Sequence, residues 1–372
     1  MATRQEQARQ KREARLDELH GMLTGAVERL VTGEDWAAAL RFAARFRSRS
    51  FNNLTLIWAH HEANYAAGNV DARYPTYVAG AKQWQQMGRH ILKGQQHYCI
   101  LAPYKARFAS ATPNDPDSWR RLDRWEKPKP GEAVRKRMVG VVPARVFDVS
   151  QTGGDPIPEA PEPRLLEGEA PDGLWEGLAG QVQAAGYELM RVPHEGMIDG
   201  SNGRTNFTDR WVAVRENMDP AAQTKTLCHE LAHVLLHDPQ NEDARQHRGI
   251  AEVEAESVAL MVGAAHGMDT TGYTIPYVAG WAANVDGKEP VEIVQATGER
   301  VRKAAAGILD QLDTAQVPDG TPPGLVRDGA ARKAPEQDAP ARSSESAAGR
   351  RVEPLPEPEQ ARERVGVEGR GL

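Results

Sequence analysis

Residues 225–238, KTLCHELAHVLLHD, constrain this chain more than any other stretch. Leu227, Leu231, Val234 and Leu235 recur at helical spacing, so the segment reads as a largely buried helix. On a helix, positions four apart differ by about 40° around the axis, which puts His229 and His233 on one face within reach of one ion. Glu230 lies about 100° from His229, where a carboxylate can touch water beside that ion without ligating it. Two imidazoles to hold zinc and a carboxylate to take a proton is the chemistry that H-E-x-x-H spacing serves. An amphipathic helix with two ordinary histidines gives the same five letters, so the rest of the chain has to decide.

A third ligand should come from a second helix, and EVEAESVALMV offers Glu252, Glu254 and Glu256. Glu252 and Glu256 are four apart and share a face, whereas Glu254 lies about 200° from Glu252 and points elsewhere. The simplest arrangement makes Glu252 the third zinc ligand and Glu256 the carboxylate that steadies one histidine. The competing reading is a solvated acidic face. His237 reads as a residue at the helix C-terminus that complements the carbonyl end. Tyr273 and Tyr277 are candidate oxyanion donors, and the strand WVAVREN, just upstream of the histidine helix, is a candidate substrate-binding edge.

Charge is distributed unevenly. From Trp36 to Ser110 there are ten Lys or Arg against Glu62 and Asp71, a net of +8 inside a chain whose formal charge is −6. A basic segment in an otherwise acidic chain suggests an anionic partner, with nucleic acid first, or else a solvated basic face. No apolar run of membrane-spanning length occurs, and the charged first residues lack a signal core, so a cytoplasmic protein that avoids membranes is expected. Cys99 and Cys228 are too few for a disulfide framework and read as small buried residues.

The pattern along the chain is α+β. A leading helix carries Leu16, Leu19, Met22 and Leu23, and a second helix opens at Asp35 as N-cap and runs from Trp36 to Phe46. A third carries Leu54, Ile57, Trp58 and His61; a short one carries Trp84 and Met87 and stops at Gly88. HILKGQQHYCILAP reads as a hairpin bent at Lys93-Gly94, residues 113–131 as a loop insertion, and VGVVPARVFDVSQT as a closing strand pair. Residues 153–173, rich in Pro and acids, read as a linker. A helix ended by Gly186, two strands, the two site helices and a last helix from about Val291 to Leu312 follow. The Pro-, Ala-, Gly- and Arg-rich remainder should be disordered.

With these residues in hand, the chain resembles the ArdC-like antirestriction proteins of mobile genetic elements. The resemblance rests on SFNNLTLI (50–57), YPTYVAGAKQWQQMGR (74–89), the Lys93-Gly94 turn, ILAP (100–103), VFDVSQT (146–152), then HELAHVLLH and E-x-x-A-E at 252–256. The last two blocks are also similar to the ImmA/IrrE metallopeptidases, in which the glutamate opening E-x-x-A fits a ligand role, favouring Glu252 over Glu254. The resemblance implies an ArdC-like single-stranded-DNA-binding domain (25–152) and a zincin-like metallopeptidase domain (174–313); periodicity and composition add the leading helix (1–24), the linker (153–173) and a disordered tail (314–372). It implies Zn2+ as cofactor, held by His229, His233 and Glu252 with Glu230 catalytic, and single-stranded DNA as partner. Cations that track phosphates and aromatics that stack on bases point to Arg73, Lys82, Arg89 and Lys93, with Tyr77, Trp84 and Tyr98 as stacking rings. Trp84 also fits a core position, and Asn52 and Asn53 fit backbone caps. Two other functions stay open: a regulatory metalloprotease that cleaves a repressor-type protein, and a non-enzymatic inhibitor of a restriction or other DNA-processing enzyme.

Overall fold

The computed structural model describes residues 4–30, 32–123, 125–157, 168–240, 250–270, 282, 289–323 and 325. The chain opens with α1 (Arg4–Glu28), which buries Leu19, Leu23 and Val27 along one stripe. Next is α2 (Gly33–Arg45). Its N-cap is Thr32, whose hydroxyl accepts from Asp35 N at 3.0 Å while the Asp35 carboxylate accepts from Thr32 N at 2.8 Å. The expected cap, Asp35, is therefore the third helical residue of a reciprocal capping box, because threonine three positions earlier reaches the free N–H first. Ser50 caps α3 (Phe51–Ala66), and Asn53 within it bonds both the carbonyl (2.9 Å) and the N–H (2.8 Å) of Leu101.

Strand β1 (Val78–Ala79), the short helix α4 (Ala81–Gln86) and β2 (Arg89–Ile91) lead into β3 (Tyr98–Ser110). Then come β4 (Arg120–Arg121), β5 (Ala133–Asp148) and β6 (Thr152–Gly154). One antiparallel sheet has the order β1-β5-β3-β4, and β2 pairs with β6. The expected hairpin at Lys93-Gly94 does not form. Gly94 supplies a turn at φ 86°, but β2 takes its partner from residues 152–154, after the long ribbon has returned. VGVVPARVFDVSQT, expected as two strands, continues the single long β5.

The second half has α5 (Leu174–Ala184), β7 (Glu188–Val192), β8 (Gly203–Asn206), β9 (Trp211–Arg215) and α6 (Pro220–Leu236). It ends with α7 (Ala251–Ala265) and α8 (Pro290–Asp310). The sheet order is β7-β9-β8, with β9 central. Helix α7 is buried around nearly its whole circumference, as a helix packed on several sides must be. It lies against α2, α6 and α8.

One apolar cluster runs from Leu19, Trp36, Phe51 and Ile100 through Val212, Leu227 and Val258 to Val301 and Val317. The segments on either side of residues 153–173 therefore share a core. Trp36 Nε1 donates to Ser257 Oγ at 2.9 Å inside it, and Glu299 accepts from Phe51 N at 2.8 Å. The region expected to be disordered also contributes. Val317 is buried, its N–H donates to Ala265 O at 2.7 Å, and Val78 N donates to Gly320 O at 2.9 Å. Gly320, at φ 71°, lies so close to the Phe46 ring that any Cβ would collide with it. Residues 326–372 of the expected tail lie outside the described residues. Among the described residues no helix is long and apolar enough to cross a membrane.

Candidate metal centre

Helix α6 starts at Asp219, whose carboxylate caps Ala222 N at 2.8 Å, with Pro220 in the first turn. Three turns on, His229 and His233 place their Nε2 atoms 3.0 Å apart. From α7, Glu252 brings one carboxylate oxygen to 3.4 Å from His229 Nε2 and the other to 3.4 Å from His233 Nε2. Ligand atoms of all three residues lie within 4.8 Å of one another. With bonds of about 2.0–2.1 Å, the edge of a tetrahedron is roughly 3.3 Å, so these separations suit one small divalent ion. Two imidazoles and a carboxylate, with a fourth direction open to solvent, form a donor set that suits catalytic zinc.

The histidines are held from behind. His229 Nδ1 lies 3.2 Å from Glu256 Oε2, and Glu256 is in turn paired with Lys225 Nζ at 2.8 Å. Sequence spacing pointed to Glu256 for such a role. It did not point to His237 and Glu254. The His233 and His237 Nδ1 atoms are 3.0 Å apart, His237 Nε2 lies 3.0 Å from Glu254 Oε2, and Arg300 Nε donates to Glu254 Oε1 at 2.9 Å. A carboxylate accepts only, so His237 donates from Nε2 and accepts at Nδ1; His233 donates from Nδ1 and keeps the Nε2 lone pair for the centre. Burial pushes the His237 ring below the ordinary histidine range despite Glu254, in keeping with this neutral form. The signal in the sequence was there: His237 is four residues after His233, the same step that joins His233 to His229.

Positive charge is favoured here. Burial opposes a proton on His229, but the hydrogen bonds the ring donates to Glu252 and Glu256 outweigh it and raise the ring to about 9. Hydrogen bonds to His229 and His233 hold Glu252 well below the usual carboxylate range. Burial works against ionised Glu256, yet His229 and Lys225 keep it low as well.

Glu230 is buried beside the centre, its Oε2 accepting from Thr205 Oγ1 at 2.6 Å. Gly203 passes so close that a Cβ there would sit 2.6 Å from the Thr226 methyl and 2.8 Å from Glu230 Oε1. Both residues lie on β8, an outer strand of its sheet. The expected edge, WVAVREN, is the central strand β9, paired on both sides, so β8 flanks the cleft instead. That cleft, about 1150 Å³, is lined by His229, Glu230, His233, Glu252 and by Gly203 to Thr205. Tyr273 and Tyr277 lie outside the described residues.

The expected DNA contacts divide. Arg73, Lys82 and Lys93 are exposed and Tyr77 is half-buried. Trp84 and Tyr98 are wholly buried, with Trp84 Nε1 donating to Phe147 O at 3.0 Å and Tyr98 OH 2.8 Å from His61 Nδ1, so neither ring can face a base. Arg89 is spent on the β2–β6 pairing, donating to Thr152 Oγ1 and Thr152 O, both at 2.9 Å, and to Asp155 O.

Residues 18–147 match the N-terminal domain of the anti-restriction factor ArdC, and residues 191–274 match the IrrE N-terminal-like domain. An uncharacterized protein of Bacillus anthracis is 25% identical over 309 residues, 78% of this chain and 50% of that protein. The chain thus spans about half the length of this curated relative. Crystal structures of the antirestriction ArdC protein from plasmid R388, metal-free and Mn(II)-bound, are each 16% identical, with TM-scores of 0.39 and 0.40. The alignments cover 70% and 71% of this chain and 84% and 88% of theirs. The two matches stand in that order on an α+β framework, so the chain is ArdC-like in its parts: a domain similar to the ArdC N-terminal domain followed by a zincin-like domain of IrrE type.

Proposed function

We propose that this chain is a cytoplasmic antirestriction-type protein of a mobile element, binding single-stranded DNA through its ArdC half and hydrolysing peptide bonds at a zinc centre in its IrrE-like half. The convergence of His229, His233 and Glu252 beside buried Glu230, at the wall of an open cleft, carries the reading. His229, His233 and Glu252 would hold the ion. When bound there, zinc would supply Lewis acidity to a substrate carbonyl and to water near neutral pH. Glu230 takes the proton from the attacking water and returns it to the departing amine. Thr205 fixes the Glu230 carboxylate, leaving its other oxygen for that transfer. Glu256 and His237 fix the two rings, so that their lone pairs are oriented before anything binds. Nucleic-acid binding is supported by the ArdC domain match and by the net +8 between Trp36 and Ser110.

Metal analysis on the purified full chain should find one zinc per molecule, lost in His229→Ala and retained in Glu230→Gln. Protection of incoming DNA from restriction should then be compared across the three proteins. A folded wild type that takes up no divalent metal would overturn the zinc assignment. A Glu230→Gln protein with full protection would remove hydrolysis from that function and favour the non-enzymatic reading.

A further inference from the structure

The long ribbon of β3 and β5 carries a feature that the metal centre does not use. Residues directly opposite in an antiparallel pair share a face, and alternate residues of one strand do too. Arg137 stands opposite Ala106, Arg135 opposite Phe108, and Arg121 of β4 opposite Phe108 from the other side. Tyr104, Ala106 and Phe108 therefore share one face with three arginines.

Each arginine lies against a ring. Arg121 is 5.9 Å from the centre of Tyr104, Arg137 is 5.7 Å from Phe108, and Arg135 is 3.6 Å from Trp119. No carboxylate pairs with any of the three among the described residues. Glu132 and Glu126 are instead paired with Arg120, the former at 2.9 Å, and Asp115 caps Asp117 N at 3.0 Å. Burial and neighbouring Arg137 push the Arg135 guanidinium down, a sign of charge without an answering anion. Tyr104, on the same face as the cations, is 45% exposed.

We propose that this face of the ribbon is the surface that grips single-stranded DNA, a proposal that rests on the DNA-binding reading above. Three uncompensated guanidiniums answer phosphates, and planar groups spaced along a strand answer unstacked bases, which a duplex does not offer. Tyr104 and Phe108 are four strand residues apart, about 13 Å, so the face can follow an extended strand rather than a single base. A bulge between Tyr104 and Lys105, with Val139 as the extra residue, adds twist to the ribbon at that point.

The test uses the full chain and labelled oligo(dT), read by anisotropy across a salt series. Replacing Arg121, Arg135 and Arg137 together by Gln should weaken binding ten- to a hundredfold and reduce the slope of log K against log salt by about 2, since each phosphate contact on a single strand contributes about 0.7. Tyr104→Ala should weaken binding severalfold with the slope unchanged, and it reports independently should the triple variant misfold. Replacing Arg73, Lys82 and Lys93 together should change affinity less than the ribbon triple. If wild type binds oligo(dT) and both ribbon variants bind equally well, the ribbon assignment falls while the DNA-binding reading stands. If wild type does not bind, both fall. Equal affinity for duplex overturns the single-strand assignment.

Discussion

His233 and His237, one turn apart at the end of α6, face each other through Nδ1 atoms 3.0 Å apart. The second ring is fixed from its far side by Glu254, and Glu254 by Arg300, so a chain of four side chains, buried at its middle, ends at the lone pair His233 offers to the centre. In His237→Ala that chain is cut and His233 is free to turn. Metal affinity should fall about 10- to 100-fold, as when outer partners of ligating histidines are removed. Competition with a chelator measures this, and an unchanged affinity would show that the His233 ring is held without His237.

Thr205→Val removes a hydroxyl that bonds the Glu230 carboxylate. A hydrogen bond to a charged group is worth about 1.5–3 kcal/mol, so peptide cleavage should slow by roughly one to two orders of magnitude. Metal content should stay at the wild-type level, which separates this effect from damage to the histidines.

Trp36 has no exposed surface and its indole N–H is committed to Ser257 on α7. Trp36→Ala should destabilise the protein by about 3–5 kcal/mol. Because Ser257 follows Glu256 directly, the same variant should also loosen the centre, seen as weaker metal retention at temperatures below its melting point. A variant with wild-type thermal stability would contradict the shared core.

His60 is largely buried against Tyr98, with its Nε2 unpartnered among the described residues. Burial first, then Arg15 and His97, lower its pKa to about 4. At pH 7 the ring is mostly neutral whether the chain is folded or not, so it contributes little to pH dependence there. As pH falls through about 6.5 the unfolded chain takes the proton and the native one does not; stability should therefore drop between about 6.5 and 4, by a few kcal/mol at most. His60→Phe should flatten that part of the curve, measured by melting temperature against pH.

Truncation after Asp313 removes Thr314, Val317 and Gly320, which bond His266, Ala265 and Val78. Three hydrogen bonds and an apolar plug are lost together, and the melting temperature should fall by several degrees relative to the full chain. An unchanged value would show that this arm adds nothing to the core.

The parts of this architecture set by local periodicity were legible in the sequence. A helix fixes which residues share a face, so His229 with His233, and Glu252 with Glu256, could be paired by counting alone. His237 and Glu254 could not be paired that way, because their meeting depends on how α6 and α7 cross. Strand partners are set by distant residues: Lys93-Gly94 looks like a hairpin bend, yet β2 waits for residues 152–154. The ribbon was missed for the same reason, since Arg121, Arg135 and Arg137 align only once β4 and β5 are in register with β3. Trp84 and Tyr98 looked available as aromatic platforms because composition does not reveal which side of a strand or short helix meets the core.

The apolar cluster that ignores the proline-rich stretch bears on how such a chain can change over evolutionary time. A crossover between residues 153 and 173 looks harmless on paper, since it would cut in a polar segment. It would instead produce two partial molecules, one exposing Trp36 and Phe51 and the other exposing α7. New specificity is more easily acquired by exchange at the ribbon or around the cleft, where side chains face solvent, than by trading either half for that of a relative.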